Sequence, residues 1–309
     1  LTKRLFFGKP KIDVLFSPSH YTPLLSKVPA VIAIMDLSYE HFGSEYFTNY
    51  DLHQLKKWTP LSAKKACRII TISQFSKTEI ATIYKLSPEK ITVIYPGINT
   101  DQFHAKIPLN KQVLVKNKFG ISGKYLLYVG TLQPRKNLNR LIEAFKVLLL
   151  EEPVKTRSLK LVIGGKKGWL YDQIYQQVCD QGLQNKVIFT GFVPATDLPG
   201  LIKASAAYVL PSLYEGFGMP PVEAQSVGTP VVVSSASSLP EVVGDSGIFI
   251  KDETSVSSIK DALKKAVCLT KKDREDLILR GKQNARRFNW DDAAQSLLSV
   301  LESAISAKI

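Results

Sequence analysis

The sequence predicts an α/β protein made of two Rossmann-like, doubly wound domains, and three observations carry that prediction. Short β-branched runs alternate with amphipathic helical stretches from one end of the chain to the other. In the longer C-terminal part those runs are almost continuously apolar, as parallel strands buried on both faces must be. The length of 309 residues, with 45% hydrophobic and 22% charged, suits about two domains with ordinary cores and excludes a disordered chain.

In the N-terminal domain, residues 12–16, 30–34, 68–72 and 91–94 read as strands. Helices fall over 52–66 and 76–84, with Ser73 or Ser76 as the cap. Pro96-Gly97 breaks the pattern, and 98–120 has weak periodicity and reads as a linker. This first sheet has about four strands and starts without the opening strand and Gly-rich turn such domains use first, so it reads as incomplete. The alternation then restarts. Strands are expected at 125–129, 160–163, 187–189, 207–210, 230–233 and 247–250, and helices at 138–150, 172–181, 197–204, 221–227 and 255–267. Two closing helices follow at 272–288 and 291–307. The expected division is 1–108, 109–288 and a terminal helix over 289–309.

The chain carries 41 Lys plus Arg against 27 Asp plus Glu, a net charge of +14. Residues 1–119 hold 17 basic and 8 acidic side chains, and the stretch 56–90 is especially basic. Such a run is either a solvated surface or a face for an anionic partner, a lipid headgroup or a phosphorylated substrate. No aromatic-basic signature, zinc finger or recognition helix accompanies it, which argues against nucleic acid. The apolar run 28–35 is too short to cross a bilayer. Leu1-Thr2-Lys3-Arg4, leading into Phe6-Phe7-Gly8-Lys9-Pro10, does not read as a signal peptide. Cys67, Cys179 and Cys268 lie far apart, and with four His no metal site is expected. A reducing cytoplasm is the expected setting.

In open α/β sheets, ligands bind beyond the carboxyl ends of the strands, so the loops there are the place to look. After 125–129 comes Gly130-Thr131-Leu132-Gln133-Pro134-Arg135-Lys136-Asn137. Its glycine permits close backbone approach, and two cations sit near a helix N-terminus, a setting for a diphosphate or simply a capped turn. Gly164-Gly165-Lys166-Lys167-Gly168 is a second anion-friendly turn. In the segment 211–224, Glu215 lies on a loop and Glu223 about one turn into the next helix, with Gly216, Gly218 and Pro220-Pro221 between them. Two such carboxylates are either a cap and a surface residue or acceptors for a ribose diol and sugar hydroxyls.

Together, Tyr128-Val129-Gly130 with Arg135-Lys136-Asn137, Gly191-Phe192-Val193-Pro194, the segment Pro211-Ser212 to Glu223, and Ser238-Leu239-Pro240-Glu241-Val242 resemble the family 4, or group 1, retaining glycosyltransferases. The likeness runs over roughly 10–305 and implies the GT-B fold, two Rossmann-like domains facing across a cleft with the last helix returning to the first domain. It implies a nucleotide-diphospho-sugar donor, no cofactor and no divalent metal. Arg135 and Lys136 match the pair on the diphosphate. Glu215 matches the carboxylate on the donor sugar, and Glu223 the one on the ribose, the two forming the family's E-x7-E motif. Phe217, Gly218 and Met219 should meet sugar hydroxyls, and Phe192 and Val193 should border the base. Gly130, Thr131, Lys167 and Leu239 complete the implied donor site.

The resemblance is weaker in the N-terminal half. No residue answers to the family's Gly-rich loop, and Met35-Asp36 stands where relatives commonly have His-Asp. His20 lies close to a second common histidine and is the substitute candidate among the catalytic residues. The sequence therefore implies a hexosyl-, first of all mannosyl-, transferase using GDP-mannose. Its acceptor would be a glycan or lipid-diphosphate-linked one, in cell-surface polysaccharide or glycolipid synthesis, at the inner face of the plasma membrane through 56–90. The alternative is a nucleotide-sugar-binding protein or fragment with impaired catalysis.

Overall fold

The computed structural model describes residues 12–306 apart from 45, 104, 105, 169 and 170. The N-terminal reading of residues 1–10 and the end of the last helix at 307 therefore lie outside the described residues. The chain divides into two compact units, one running up to Pro96 and resuming at Trp290, the other spanning Gly97–Asn289.

In the first unit, β1 (Leu15–Ser17), β2 (Ala30–Ala33), α1 (Ser38–His41), α2 (Asn49–Lys65), β3 (Arg68–Thr71), α3 (Gln74–Tyr84) and β4 (Ile91–Val93) build a four-stranded parallel sheet in the order β1-β2-β3-β4. Alternate residues of one strand feed opposite cores. Ile32 and Ile69 pack with Ala63 of α2 and Ile80 of α3, whereas Val31 and Ile70 pack on the other face with Val300 and Ala304 of the terminal helix. Helix α3 begins on Ser73, whose hydroxyl accepts the Ser76 N–H at 3.0 Å, and α2 begins on Thr48, which accepts from Asp51 N at 3.1 Å.

The second unit opens with α4 (Thr100–Phe103) and α5 (Leu109–Lys118), inside the segment the sequence offers as a linker. The difference has a physical reason. Only Val115 of α5 is buried, so its apolar period is too faint to read, yet that side chain seats against Gly200. Then come β5 (Tyr125–Val129), α6 (Leu138–Glu151), β6 (Lys160–Gly164), α7 (Asp172–Asp180), β7 (Val187–Gly191), α8 (Leu198–Ala204), β8 (Ala207–Leu210), α9 (Met219–Val227), β9 (Val231–Ser234), α10 (Leu239–Val243), β10 (Gly247–Ile250), α11 (Val256–Val267) and α12 (Lys271–Ala285). The terminal α13 (Trp290–Ser306) belongs to the first unit.

The six strands of the second unit are all parallel, in the order β10-β9-β8-β5-β6-β7. Strands β5 to β7 step one way, and the chain then returns to β8 on the other side of β5 and steps away. This reversal makes a topological switch point between β5 and β8, where an open α/β sheet leaves a crevice at its carboxyl edge. Tyr125, Leu126, Leu127 and Tyr128 of β5 are wholly buried, as the central strand of a doubly covered sheet requires.

Candidate active site

The loops after β5 and β8 flank the switch point, and buried polar groups bind them together. Tyr208 on β8 donates its hydroxyl to Val129 O at 2.7 Å, and Tyr128 donates to Thr131 O at 3.0 Å. Asn137, 4% exposed, donates its amide to Pro211 O at 3.0 Å and to Glu253 O at 2.7 Å. Asn137 holds φ at 60°, and Ser237 across the site holds φ at 53°, so two of the three positive-φ non-glycine residues among the described ones lie here. Strain of that kind persists where the surroundings over-determine it, and it concentrates at functional sites.

This framework brings Arg135, Lys136 and Glu215 together. The turn Pro134–Lys136 presents both cations. Lys136 Nζ lies 2.5 Å from Glu215 Oε1; Arg135 donates to Tyr214 O at 2.5 Å and stands 3.4 Å from Glu215 Oε2. Ser212 donates its hydroxyl to Glu215 Oε1 at 2.6 Å, and Ser237 Oγ accepts the Glu215 N–H at 2.8 Å. Ser238, fully buried, donates to both Glu215 O and Phe217 O, fixing the turn that carries Gly216. These serines and Asn137 are supports that residue-by-residue reading assigned no role. Only their repetition inside the motif segments hinted at one.

Gly218 caps α9 at φ 101°, where a Cβ would sit 2.6 Å from a methyl of the buried Leu239, so the residue must be glycine. Phe217 is buried edge-on against Phe288, their centroids 5.2 Å apart. Met219 begins α9, and Glu223 lies one turn further in. Burial alone pushes the Glu223 carboxyl up to about 7, and it has no hydrogen-bond partner among the described residues. Burial pushes the Tyr208 hydroxyl well up, and the charges of Glu223 and then Glu215 push it the same way.

The β6 and β7 loops close the other side. A Cβ on Gly165 would fall 1.8 Å from Gly130 O, and one on Gly168 would fall 2.5 Å from Leu132 O. Backbone bonds run from Gly130 N to Gly164 O, Leu132 N to Lys166 O and Gly165 N to Gly191 O, at 2.8–3.0 Å. Three strand ends are thus stitched side by side. Lys167 Nζ sits 4.6 Å from the Tyr171 ring centroid, Lys166 Nζ 5.3 Å from that of Phe192. Phe192 is 61% exposed while Val193 is buried beneath it against Gly164. An exposed aromatic ring at a strand's carboxyl end is a surface on which a base can stack.

His20 is the one candidate catalytic residue outside this group. It belongs to the first unit, following β1, with its ring 4.7 Å from Tyr21 and 6.5 Å from Tyr39. Burial lowers its pKa, opposed in part by the Asp36 charge. Met35 is exposed and Asp36 accepts the Ser38 N–H at 2.9 Å. Among the described residues no three His, Cys, Asp or Glu side chains gather as a metal-ligand set.

Two Rossmann-like units, one with a cation pair at its switch point, define a GT-B type of α/β protein. The chain belongs to the group 1 glycosyl transferases: the profile described as "Glycosyl transferases group 1" matches residues 113–284, and that of "Glycosyltransferase Family 4" matches 2–102. It is similar to the O-antigen chain mannosyltransferase B of Escherichia coli, 33% identical over 260 residues, covering 83% of this chain and 66% of that protein. It is also similar to an uncharacterized glycosyltransferase of Methanocaldococcus jannaschii, 31% identical over 256 residues, covering 79% of this chain and 62% of the relative. The chain therefore spans less than two thirds of these curated relatives' length. Among solved structures, HepE of Anabaena in complex with UDP and glucose shares the fold with a TM-score of 0.77 at 23% identity, covering 94% of this chain and 78% of that one.

Proposed function

We propose that the protein is a retaining glycosyltransferase that moves a hexosyl unit from a nucleotide-diphospho-sugar to an acceptor in surface-polysaccharide or glycolipid synthesis. The observation that carries this reading is the Arg135–Lys136–Glu215 cluster at the switch point of the second unit. Cleaving the sugar–phosphate bond leaves a nucleoside diphosphate anion and an oxocarbenium-like sugar. Fixed cations on the diphosphate stabilise charge that grows as the bond breaks, which is where stabilisation accelerates a reaction. In front-face attack the acceptor oxygen bonds to the anomeric carbon on the side the diphosphate leaves, and the acceptor proton passes to the departing phosphate oxygen.

This reading gives each residue of the site a role. Arg135 and Lys136 hold the diphosphate, and Glu215 faces the donor sugar beside the backbone of Phe217, Gly218 and Met219. Glu223 takes the ribose hydroxyls. Phe192 and Val193 border the base, with Gly130, Thr131, Lys167 and Leu239 completing the wall. His20 serves the transfer step from the first unit. Mannose carried on GDP is the first sugar to test, since the Escherichia coli relative is a mannosyltransferase by name. The acceptor is a glycan or a lipid-diphosphate-linked one, reached from the cytoplasmic membrane face through the basic stretch 56–90. Among the described helices none is long and apolar enough to cross a membrane.

The second reading, a donor-binding protein with impaired catalysis, is favoured by Met35 at the position where relatives commonly have histidine. A thermal-shift panel of GDP, UDP, dTDP and their sugars, followed by donor turnover, tests both. A ligand at about 100 times its Kd adds about 2.7 kcal/mol. A shift with turnover supports the enzyme, a shift without turnover supports the second reading, and no shift removes both.

A further inference from the structure

The Arg135–Lys136–Glu215 cluster sets two cations against one carboxylate, and it holds the two cations differently. The Arg135 guanidinium is tied to the backbone as well, donating to Tyr214 O at 2.5 Å while standing 3.4 Å from Glu215 Oε2. The Lys136 ammonium meets Glu215 Oε1 at 2.5 Å from the end of a four-carbon stem. Rotations of that stem carry the charge to a new partner without moving the backbone.

The carboxylate cannot follow. Ser237 Oγ accepts the Glu215 N–H at 2.8 Å, and Ser238 donates to Glu215 O at 2.8 Å. Ser212 donates its hydroxyl at 2.6 Å to the same Oε1 that meets Lys136. The Glu215 side chain is 9% exposed, so the groups around it must do the work of solvent. Drawing Lys136 away therefore costs free energy unless another donor takes its place.

We propose that Glu215 competes with the diphosphate for Lys136, and that this competition sets a preference for a sugar-bearing donor over the bare nucleoside diphosphate. The inference rests on the proposed donor site and deepens it. A diphosphate on Lys136 pulls the ammonium toward its own oxygens and off Oε1. When the ligand carries a hexose, sugar hydroxyls donate to the carboxylate and replace the lost contact. The bare nucleoside diphosphate brings no such donor, so it binds against the full cost of parting the pair. Specificity of this kind is a difference of affinities, achieved by penalising the unwanted ligand. Once the sugar has passed to the acceptor, the carboxylate reclaims the ammonium and the hold on the product weakens. Glu215 then acts on product release as well as on the donor sugar.

The test is isothermal titration of GDP and GDP-mannose, and of UDP and UDP-glucose, into the wild type and Glu215→Gln. The variant keeps the shape of the side chain and removes its charge. The nucleoside diphosphate is expected to bind Glu215→Gln at least about fivefold more tightly, while the preference for the sugar-bearing ligand falls at least about tenfold. A purely structural role for Glu215 weakens both ligands, and plain charge repulsion strengthens both alike; either result overturns the inference. Ser212→Ala provides a second variant with the opposite sign, should Glu215→Gln fail to fold. Without that hydroxyl the carboxylate leans harder on Lys136, so the preference for the sugar-bearing ligand should widen at least about threefold. Equal losses for both ligands would overturn the inference. Nucleotide binding by the wild type with no gain in Glu215→Gln overturns this inference alone, whereas no nucleotide bound by the wild type removes the donor-site reading with it.

Discussion

Lys136 Nζ and Glu215 Oε1 lie 2.5 Å apart, joining the loop after β5 to the loop after β8 across the point where the strand order reverses. The pair does two things at once. It holds the Lys136 cation at the end of the β5 loop, and it orients the carboxylate, whose same oxygen also accepts the Ser212 hydroxyl at 2.6 Å. Both side chains are largely shielded from water, at 14% and 9% exposure, so neither can lose its partner cheaply.

Replacing Lys136 with Ala should therefore cost about 2 kcal/mol of stability, since the Glu215 carboxylate keeps Ser212 and the longer contact to Arg135 but loses its nearer cation. Adding Glu215→Gln should restore part of that loss. The double-mutant cycle, read by urea denaturation, is expected to give a coupling of at least about 1 kcal/mol. Additive losses would mean that Arg135 and Asn137 join the two loops without help from the Lys136–Glu215 pair.

Glu223 predicts a pH dependence with a definite sign. Its carboxyl stands at about 7 in the folded chain against an ordinary 4.5, raised by burial. Between those values the folded state binds more protons than the unfolded one, so this group's contribution to stability falls as pH rises through the window. The full effect is about 3 kcal/mol. Melting temperature against pH should show the decline in the wild type and a flatter profile in Glu223→Gln, which is the more stable of the two above pH 7. If Glu223 takes the ribose hydroxyls as a carboxylate, nucleotide binding below pH 7 releases protons. Calorimetry in buffers of different ionisation heat detects that release.

Gly165→Ala tests the stitching of the β5, β6 and β7 ends. The new methyl would fall 1.8 Å from Gly130 O on a backbone at φ 137°, and no side-chain rotation relieves contact with a carbonyl. A loss of at least about 3 kcal/mol is expected. Near-native stability would mean the loop can open without harm.

His20→Gln separates binding from transfer. Burial holds the imidazole below its usual pKa, so it is neutral and able to accept a proton near pH 7. Turnover should fall about 100-fold with nucleotide affinity unchanged. Full turnover in this variant removes His20 from the mechanism.

The second unit was legible in the sequence because its central strands are buried on both faces, so β5, β8 and β9 appear as unbroken apolar runs close to their observed bounds. Helices α4 and α5 were not, because a helix that buries little beyond Val115 leaves almost no period. The expected first strand at 12–16 is observed at Leu15–Ser17, a short edge strand whose residues are all only half-buried. The cations and carboxylates of the site were visible as residue types, but their pairing was not. Arg135 and Glu215 are 80 positions apart, and only the return of β8 to the side of β5 brings them together. The raised Glu223 carboxyl was likewise invisible, since burial of a helix residue depends on what packs over it.

The most direct test of the account is isothermal titration of the wild type and of the Arg135→Ala, Lys136→Ala double variant with GDP, UDP and dTDP. The account predicts saturable one-to-one binding of at least one nucleoside diphosphate by the wild type and its loss in a double variant that still unfolds cooperatively. Equal affinity in both proteins would place the diphosphate elsewhere, and would contradict the reading of this cluster as the donor site.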